Sequence, residues 1–315
     1  MIAILANALV PIFAGLLLGY ITGLRKVVDN KNVKSLITFV MSFALPCSLF
    51  ITIARTPHPL LWSQGKIAVA LAIVYFVIFG LTYFAARRLG KSAAADSTVL
   101  ALMLGFPNVT AVGIPLLLSV YGNDAVISVA VAIAIGSITI SPITLAILES
   151  STVEGKALSP TTRIWTSAWK AIKKPVVWAP VLGVLAVAID FHMPTYVERS
   201  LTVFGSATVG TALFLTGLVV SAQRFKFTWS VSWSVFAKNL LQPALGLFIA
   251  RSLSLPLEAT RCVVLISAIP CGFFGIVFGK GFNATPEVAS SSLIASYVIG
   301  IFTLAGWMIF LSHLT

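Results

Sequence analysis

The chain has 315 residues, 58% of them hydrophobic and only 10% charged, with a mean hydropathy of +1.02. Soluble domains carry about 25% charged residues, so the composition excludes an ordinary soluble fold and points to an integral membrane protein. The net charge of +12 would suggest nucleic acid as the partner of a soluble chain. Here the basic residues sit in short loops, with no basic stripe interleaved with aromatics, which argues against nucleic acid.

Apolar runs of roughly 20 residues, the length a spanning helix needs, recur along the whole chain. They predict ten spans, at about 2–23, 32–53, 66–88, 97–120, 124–148, 174–190, 199–222, 230–252, 258–280 and 286–312. The first lacks any Lys or Arg before Arg25 and reads as a retained helix rather than a signal peptide. Its Gly15 and Gly19 are spaced for ordinary helix packing. The second contains Pro46-Cys47-Ser48, a mild interruption.

The fourth span is broken outright. Phe106-Pro107-Asn108-Val109-Thr110-Ala111-Val112-Gly113-Ile114-Pro115 places two prolines, a glycine and an amide where a helix should pass mid-membrane. Proline removes a backbone donor and clashes with the preceding turn. Freed backbone groups at that depth are tolerated only inside protein or along a polar cavity. The ninth span repeats the feature at Ile269-Pro270-Cys271-Gly272-Phe273-Phe274-Gly275. Paired interruptions at matching places in two halves are the best sequence pointer to a carrier's binding site.

The longest hydrophilic stretch, 149–173, separates a first five-span repeat, 1–148, from a second, 174–315. An odd number of spans per repeat makes the second inverted relative to the first. When charges are assigned to alternate sides, fifteen of the 21 Lys and Arg fall on one side and five on the other, with Lys238 inside the eighth span. By the positive-inside rule the rich side is cytoplasmic. The linker is then cytoplasmic and both termini of this multi-pass chain face outward.

Two inverted broken helices crossing at their interruptions bring two N-terminal ends and two C-terminal ends together. The N-terminal ends, with unpaired N–H groups and partial positive charge, suit an anion. Candidate binding residues are Pro107, Asn108, Thr110, Gly113, Pro270, Cys271, Gly272 and Phe273, with Pro46 on the facing wall. Lys238, followed by Asn239, Gln242 and Pro243, either balances an anionic substrate, stabilises the C-terminal end of a half-helix, or snorkels to the interface. A sodium ion could be held near Thr110, Ser137 and Ser141. No metal-ligand spacing joins the three histidines, the three cysteines form no disulfide framework, and no intramembrane catalytic constellation exists, so neither a cofactor nor an enzyme is expected.

The order of these motifs resembles the auxin efflux carrier family. Phe39-Val40-x-x-Phe43-Ala44-x-Pro46, Pro107-Asn108, Pro270-x-Gly272 with Val277-Phe278-x-Lys280, and the pair Lys238 and Pro243 carry the likeness over nearly the whole chain. Phe106 stands where plant members have an Asn, and Gly275 where they have a second proline, which points away from auxin. Val177-Trp178-Ala179-Pro180 and the run 272–279 are instead similar to bacterial members described as malonate carriers. The resemblance implies a sodium/proton-antiporter-like or bile-acid-symporter-like fold, with a rigid scaffold of spans 1, 2, 6 and 7 and a moving unit of spans 3–5 and 8–10. It implies a secondary carrier of a small organic anion, malonate foremost, working by alternating access. The partners are that anion, a co-transported sodium ion or proton, the bilayer and, in a homodimer, a second copy. A bile-acid-type symporter, a sodium/proton antiporter and an anion channel are the rival functions.

Overall fold

The computed structural model describes residues 2–29, 33–56, 58, 64–152 and 160–314, and it is helical throughout. In chain order the elements are α1 (Ile2–Leu24), α2 (Lys34–Ala54), α3 (Gly65–Arg88), α4 (Ala94–Gly105), α5 (Val109–Tyr121), α6 (123–152), α7 (Pro160–Ile172) and α8 (Pro175–Ala188). They continue as α9 (Thr195–Ser221), α10 (229–252), α11 (Leu257–Ala268), α12 (Phe274–Gly281) and α13 (Glu287–Ser312). Among the described residues there is no strand, only one isolated antiparallel bridge between Pro107 and Cys271. Among the described residues five helices are long and apolar enough to cross a membrane, or six if the pair Trp165–Ile172 and Pro175–Ala188, bent by 62°, is one span.

Prolines shape these helices in a regular way. Pro46 in α2, Pro115 in α5 and Pro243 in α10 each follow a π turn, at Val40–Ala44, Val109–Gly113 and Ala237–Leu241. A proline ring collides with the carbonyl four residues back. The wider π turn, which encloses Ser42, Ala111 and Asn239 respectively, relieves that collision without ending the helix. In α10 the released Asn239 carbonyl accepts the Trp307 indole N–H at 3.0 Å.

The glycines of α1 mark its packing partner. A Cβ on Gly19 would stand 2.0 Å from the Phe214 carbonyl oxygen, and one on Gly217 would stand 2.0 Å from the Leu16 carbonyl oxygen. These close approaches lock α1 against α9, as small residues do in membrane helix pairs. Helix α2 packs on α9, and α8 packs in turn on α2, so the four form one connected group of helices. The other group surrounds the two interruptions: α4 lies between α3, α6 and α12, while α10 packs on α11, α13 and α3.

The stretch expected as a linker carries structure. Helix α6 runs on to Thr152, and α7 occupies 160–172, packing back on α6 with Trp165 and Trp169 exposed. Residues 153–159, the middle of that linker, lie outside the described part.

Candidate functional site

The interruptions of α4–α5 and α11–α12 meet. Pro107 faces Cys271 across the antiparallel bridge. The Asn108 N–H donates to the Pro270 carbonyl at 3.1 Å, and the Gly272 N–H donates to the Met103 carbonyl at 3.0 Å. A third donor, the Cys271 N–H, reaches the Ser296 hydroxyl at 3.2 Å. Each proline leaves its helix one donor short, and the chain opposite supplies partners for the neighbouring groups.

The glycines here are filled by protein. A Cβ on Gly272 would stand 2.3 Å from the Phe106 carbonyl oxygen, and one on Gly275 would stand 2.3 Å from the Met103 side chain. Gly113 is pressed between Val109 and Val129, each 2.9 Å from a Cβ at that place. Their lack of a side chain lets the chains cross and lets α5 lie on α6.

Asn108 is 1% exposed. Its amide pairs with the hydroxyl of Tyr297 on α13, and its carbonyl oxygen Oδ1 has no partner. The Thr110 hydroxyl, in the first turn of α5, is likewise buried and unpaired. Unpaired buried polar atoms are rare, and each calls for an explanation. Aromatic rings close the surroundings. Phe106 packs on Tyr75, on Phe274 and against the open face of Gly136, while Phe273 stacks edge-on with Phe274 at 4.5 Å.

Lys238 does not snorkel. It is fully buried, and its ammonium donates to Gln242 Oε1 at 2.6 Å and to the Ser267 carbonyl at 2.8 Å. Gln242 in turn donates to the Gly105 carbonyl at 3.1 Å. Gly105 ends α4 and Ser267 lies in the last turn of α11, where helices leave carbonyls unpaired and carry partial negative charge. One side-chain pair from α10 therefore caps the C-terminal ends of both interrupted helices. The adjacent Asn239 accepts from Ser296 Oγ at 2.7 Å and donates to its carbonyl at 2.9 Å, so the hydroxyl that holds Cys271 is itself held.

Of the residues expected at the site, Pro107, Asn108, Pro270, Cys271 and Gly272 come together, with Phe273 beside them. Lys238 reaches the same place from behind. No hydrogen bond links Thr110, Ser137 and Ser141 to one another among the described residues; the two serines lie buried on α6, on either side of its irregularity at Thr139. Pro46 takes no part in these bonds, and its neighbour Ser48 packs against Gly205 of α9 instead. Sequence reasoning missed Tyr297 and Ser296. Their signal is a polar stripe within an apolar helix, with Ser292 and Ser296 four residues apart and Tyr297 next in line.

A model of the family described as "Membrane transport protein" matches residues 4–308. An uncharacterized transporter of Escherichia coli K12, YfdV, is 28% identical, with 100% of this chain and 99% of that protein aligned. A putative malonate transporter of Rhizobium meliloti is 24% identical over 96% and 94% of the two chains. The auxin efflux carrier component 8 of Arabidopsis thaliana is 21% identical over 94% of each.

Proposed function

The chain belongs to the membrane transport protein family that includes the auxin efflux carriers, and from that premise we propose that it is a secondary carrier of a small organic anion, malonate foremost. It is a transporter and not an enzyme, and its apolar helices are those of a multi-pass membrane protein. The observation that carries the finer reading is the pairing of unsatisfied groups, Asn108 Oδ1 and the Thr110 hydroxyl, with the N-terminal end of α5 at a buried crossing. The Tyr297 hydroxyl can donate as well as accept. Donating to the Asn108 oxygen, it would turn the amide NH₂ toward a carboxylate, since either amide orientation serves the pair. The first N–H groups of α5 and α12 add partial positive charge, so no cationic side chain need touch the anion.

In this reading each interrupted pair, α4–α5 and α11–α12, is one span. With α10 counted through its π turn, the chain makes ten spans in two inverted halves, 1–148 and 174–315. Three ion pairs each join residues that alternation assigns to one side. Arg55 meets Glu198 at 2.7 Å on the basic-poor side, while Lys174–Glu149 at 2.8 Å and Lys226–Glu287 at 2.6 Å lie on the rich side. That agreement supports the alternation, from which the positive-inside rule turns both termini outward from a bacterial inner membrane.

The group of α1, α2, α8 and α9 would be the fixed scaffold, and the helices around the crossing the moving unit. Alternating access then follows as that unit carries its buried crossing past the scaffold. The test is radiolabelled malonate uptake into proteoliposomes, with sodium and proton gradients imposed separately. Saturable uptake that unlabelled malonate competes away supports the carrier; unsaturable ohmic flux would show an anion channel. The putative malonate transporter among the relatives is what favours malonate over auxin, bile acids or a cation.

A further inference from the structure

A cavity of about 230 Å³ lies away from the crossing, between the ends of α1, α9 and α13. Tyr20, Gln223, Arg224, Ser290, Ser291 and Ile294 are among its walls. Ser290 is 3% exposed and its hydroxyl is unpaired; Gln223 Oε1 is also buried and unpaired, although its NH₂ donates to the Thr285 carbonyl at 2.9 Å. Ser291 accepts from the Lys226 backbone N–H at 3.2 Å, which fixes the wall. The local charges divide cleanly. Lys226 is neutralised by Glu287 at 2.6 Å, whereas Arg224 has no ion pair among the described residues. The cavity therefore combines one uncompensated guanidinium, one spare hydroxyl donor and one spare amide acceptor.

Its position in the helix registers adds direction. Tyr20 and Phe13 are seven residues apart on α1, and Ser290 and Tyr297 are seven apart on α13, so each pair shares a face about 10 Å apart along the helix. The lower pair meets: the Phe13 and Tyr297 rings touch edge to face, with centroids 6.0 Å apart. Tyr297 is the partner of Asn108. The cavity is thus the upper end of a seam whose lower end is one side chain from the crossing.

We infer that this cavity is a loading site for a small carboxylate on the Lys- and Arg-rich side, separate from the crossing and leading to it along the α1–α13 seam. Arg224 and Ser290 donate to the carboxylate. Gln223 Oε1 accepts from a second group of the same molecule, so the site fits a singly protonated dicarboxylate or a hydroxy acid. This rests on the carrier reading, because a seam to Asn108 has a purpose only if an anion travels along it.

The test reads the cavity directly instead of transport. In purified protein, phenylglyoxal modification of Arg224 is followed by mass spectrometry with malonate, malate or inorganic phosphate as the probe. At about ten times its Kd, malonate or malate is expected to slow labelling roughly tenfold, as single-site occupancy requires. Ser290→Ala should weaken that protection, and Asn108→Ala should leave it intact while stopping uptake. Protection without malonate uptake by the unaltered protein would remove malonate as cargo yet keep the site. Several outcomes overturn the inference: no protection by either acid, protection by phosphate alone, or protection lost with Asn108→Ala. It also falls if anionic lipid alone shields Arg224 and the acids add nothing, which would make the cavity a headgroup site.

Discussion

Gly272 and Phe106 touch backbone to backbone: a Cβ on the glycine would lie 2.3 Å from the phenylalanine carbonyl oxygen. No rotamer can relieve that contact, because the obstructing atom is main chain. Gly272→Ala must push the two interruptions apart and break the Gly272 N–H bond to Met103. The expected cost is about 3 kcal/mol, in the upper range for overpacking, with uptake lost. Gly210→Ala is the control, since nothing lies within 4 Å of its open side and it faces outward from α9. It should be neutral or stabilising by up to about 1 kcal/mol. Thermal unfolding in detergent, read beside uptake, separates the two; equal melting temperatures would contradict the crossing.

Asn108 and Tyr297 form a side-chain hydrogen bond that joins the first interruption to α13. Asn108→Ala removes the amide and strands the tyrosine hydroxyl, at about 1–3 kcal/mol. Uptake should disappear while membrane insertion persists. Tyr297→Phe keeps the ring contact with Phe13 and frees the amide to rotate. Its effect should appear mainly as a raised KM, with the protein otherwise intact. Normal KM and kcat in both variants would remove this pair from the substrate's path.

Much of this arrangement was legible in the sequence because proline and glycine act locally. Pro107 and Pro270 each remove a helix donor, and with Asn108 and Gly272 beside them they marked interruptions whose matching places implied that the two meet. Lys238, as a charge within an apolar run, announced itself, and Asn239 and Gln242 stood beside it. The partners that satisfy them were less visible. Ser267 contributes a backbone carbonyl, which any residue type supplies, and Tyr297 resembles a packing aromatic until Asn108 is seen opposite. The π turns before Pro46, Pro115 and Pro243 depend on how each helix absorbs its proline. Composition does not reveal that choice. Nor does hydrophilicity reveal α7, which starts at Pro160 and carries two tryptophans four apart inside the stretch expected as a linker.

The cysteines respond to exposure. Cys47 and Cys271 each follow a proline, but Cys271 is fully buried whereas Cys47 is partly open. A membrane-permeant maleimide should therefore modify Cys47 readily and Cys271 only as the crossing opens. Cys47→Ser should abolish fast labelling, and the remaining slow phase should accelerate under turnover. Fast labelling that survives Cys47→Ser, with Cys262 also buried, would show the crossing to be open at rest.

Lys238 decides what the C-terminal ends of the crossing can hold. Its ammonium touches the Ser267 carbonyl directly and reaches the Gly105 carbonyl through Gln242. These are the groups a sodium ion would need, and a covalently attached cation already occupies them. Uptake should therefore change by less than about twofold when choline replaces sodium, too little to represent a lost coupling free energy. Lys238→Met should destabilise the protein by about 3 kcal/mol, because both charge-assisted bonds are lost and their acceptors remain buried. If the variant regains stability or uptake on addition of sodium, the ion is replacing the ammonium, which would identify this position as the cation site. Strong sodium dependence in the unaltered protein would instead place the ion elsewhere, with the Thr110, Ser137 and Ser141 hydroxyls the first to replace by alanine.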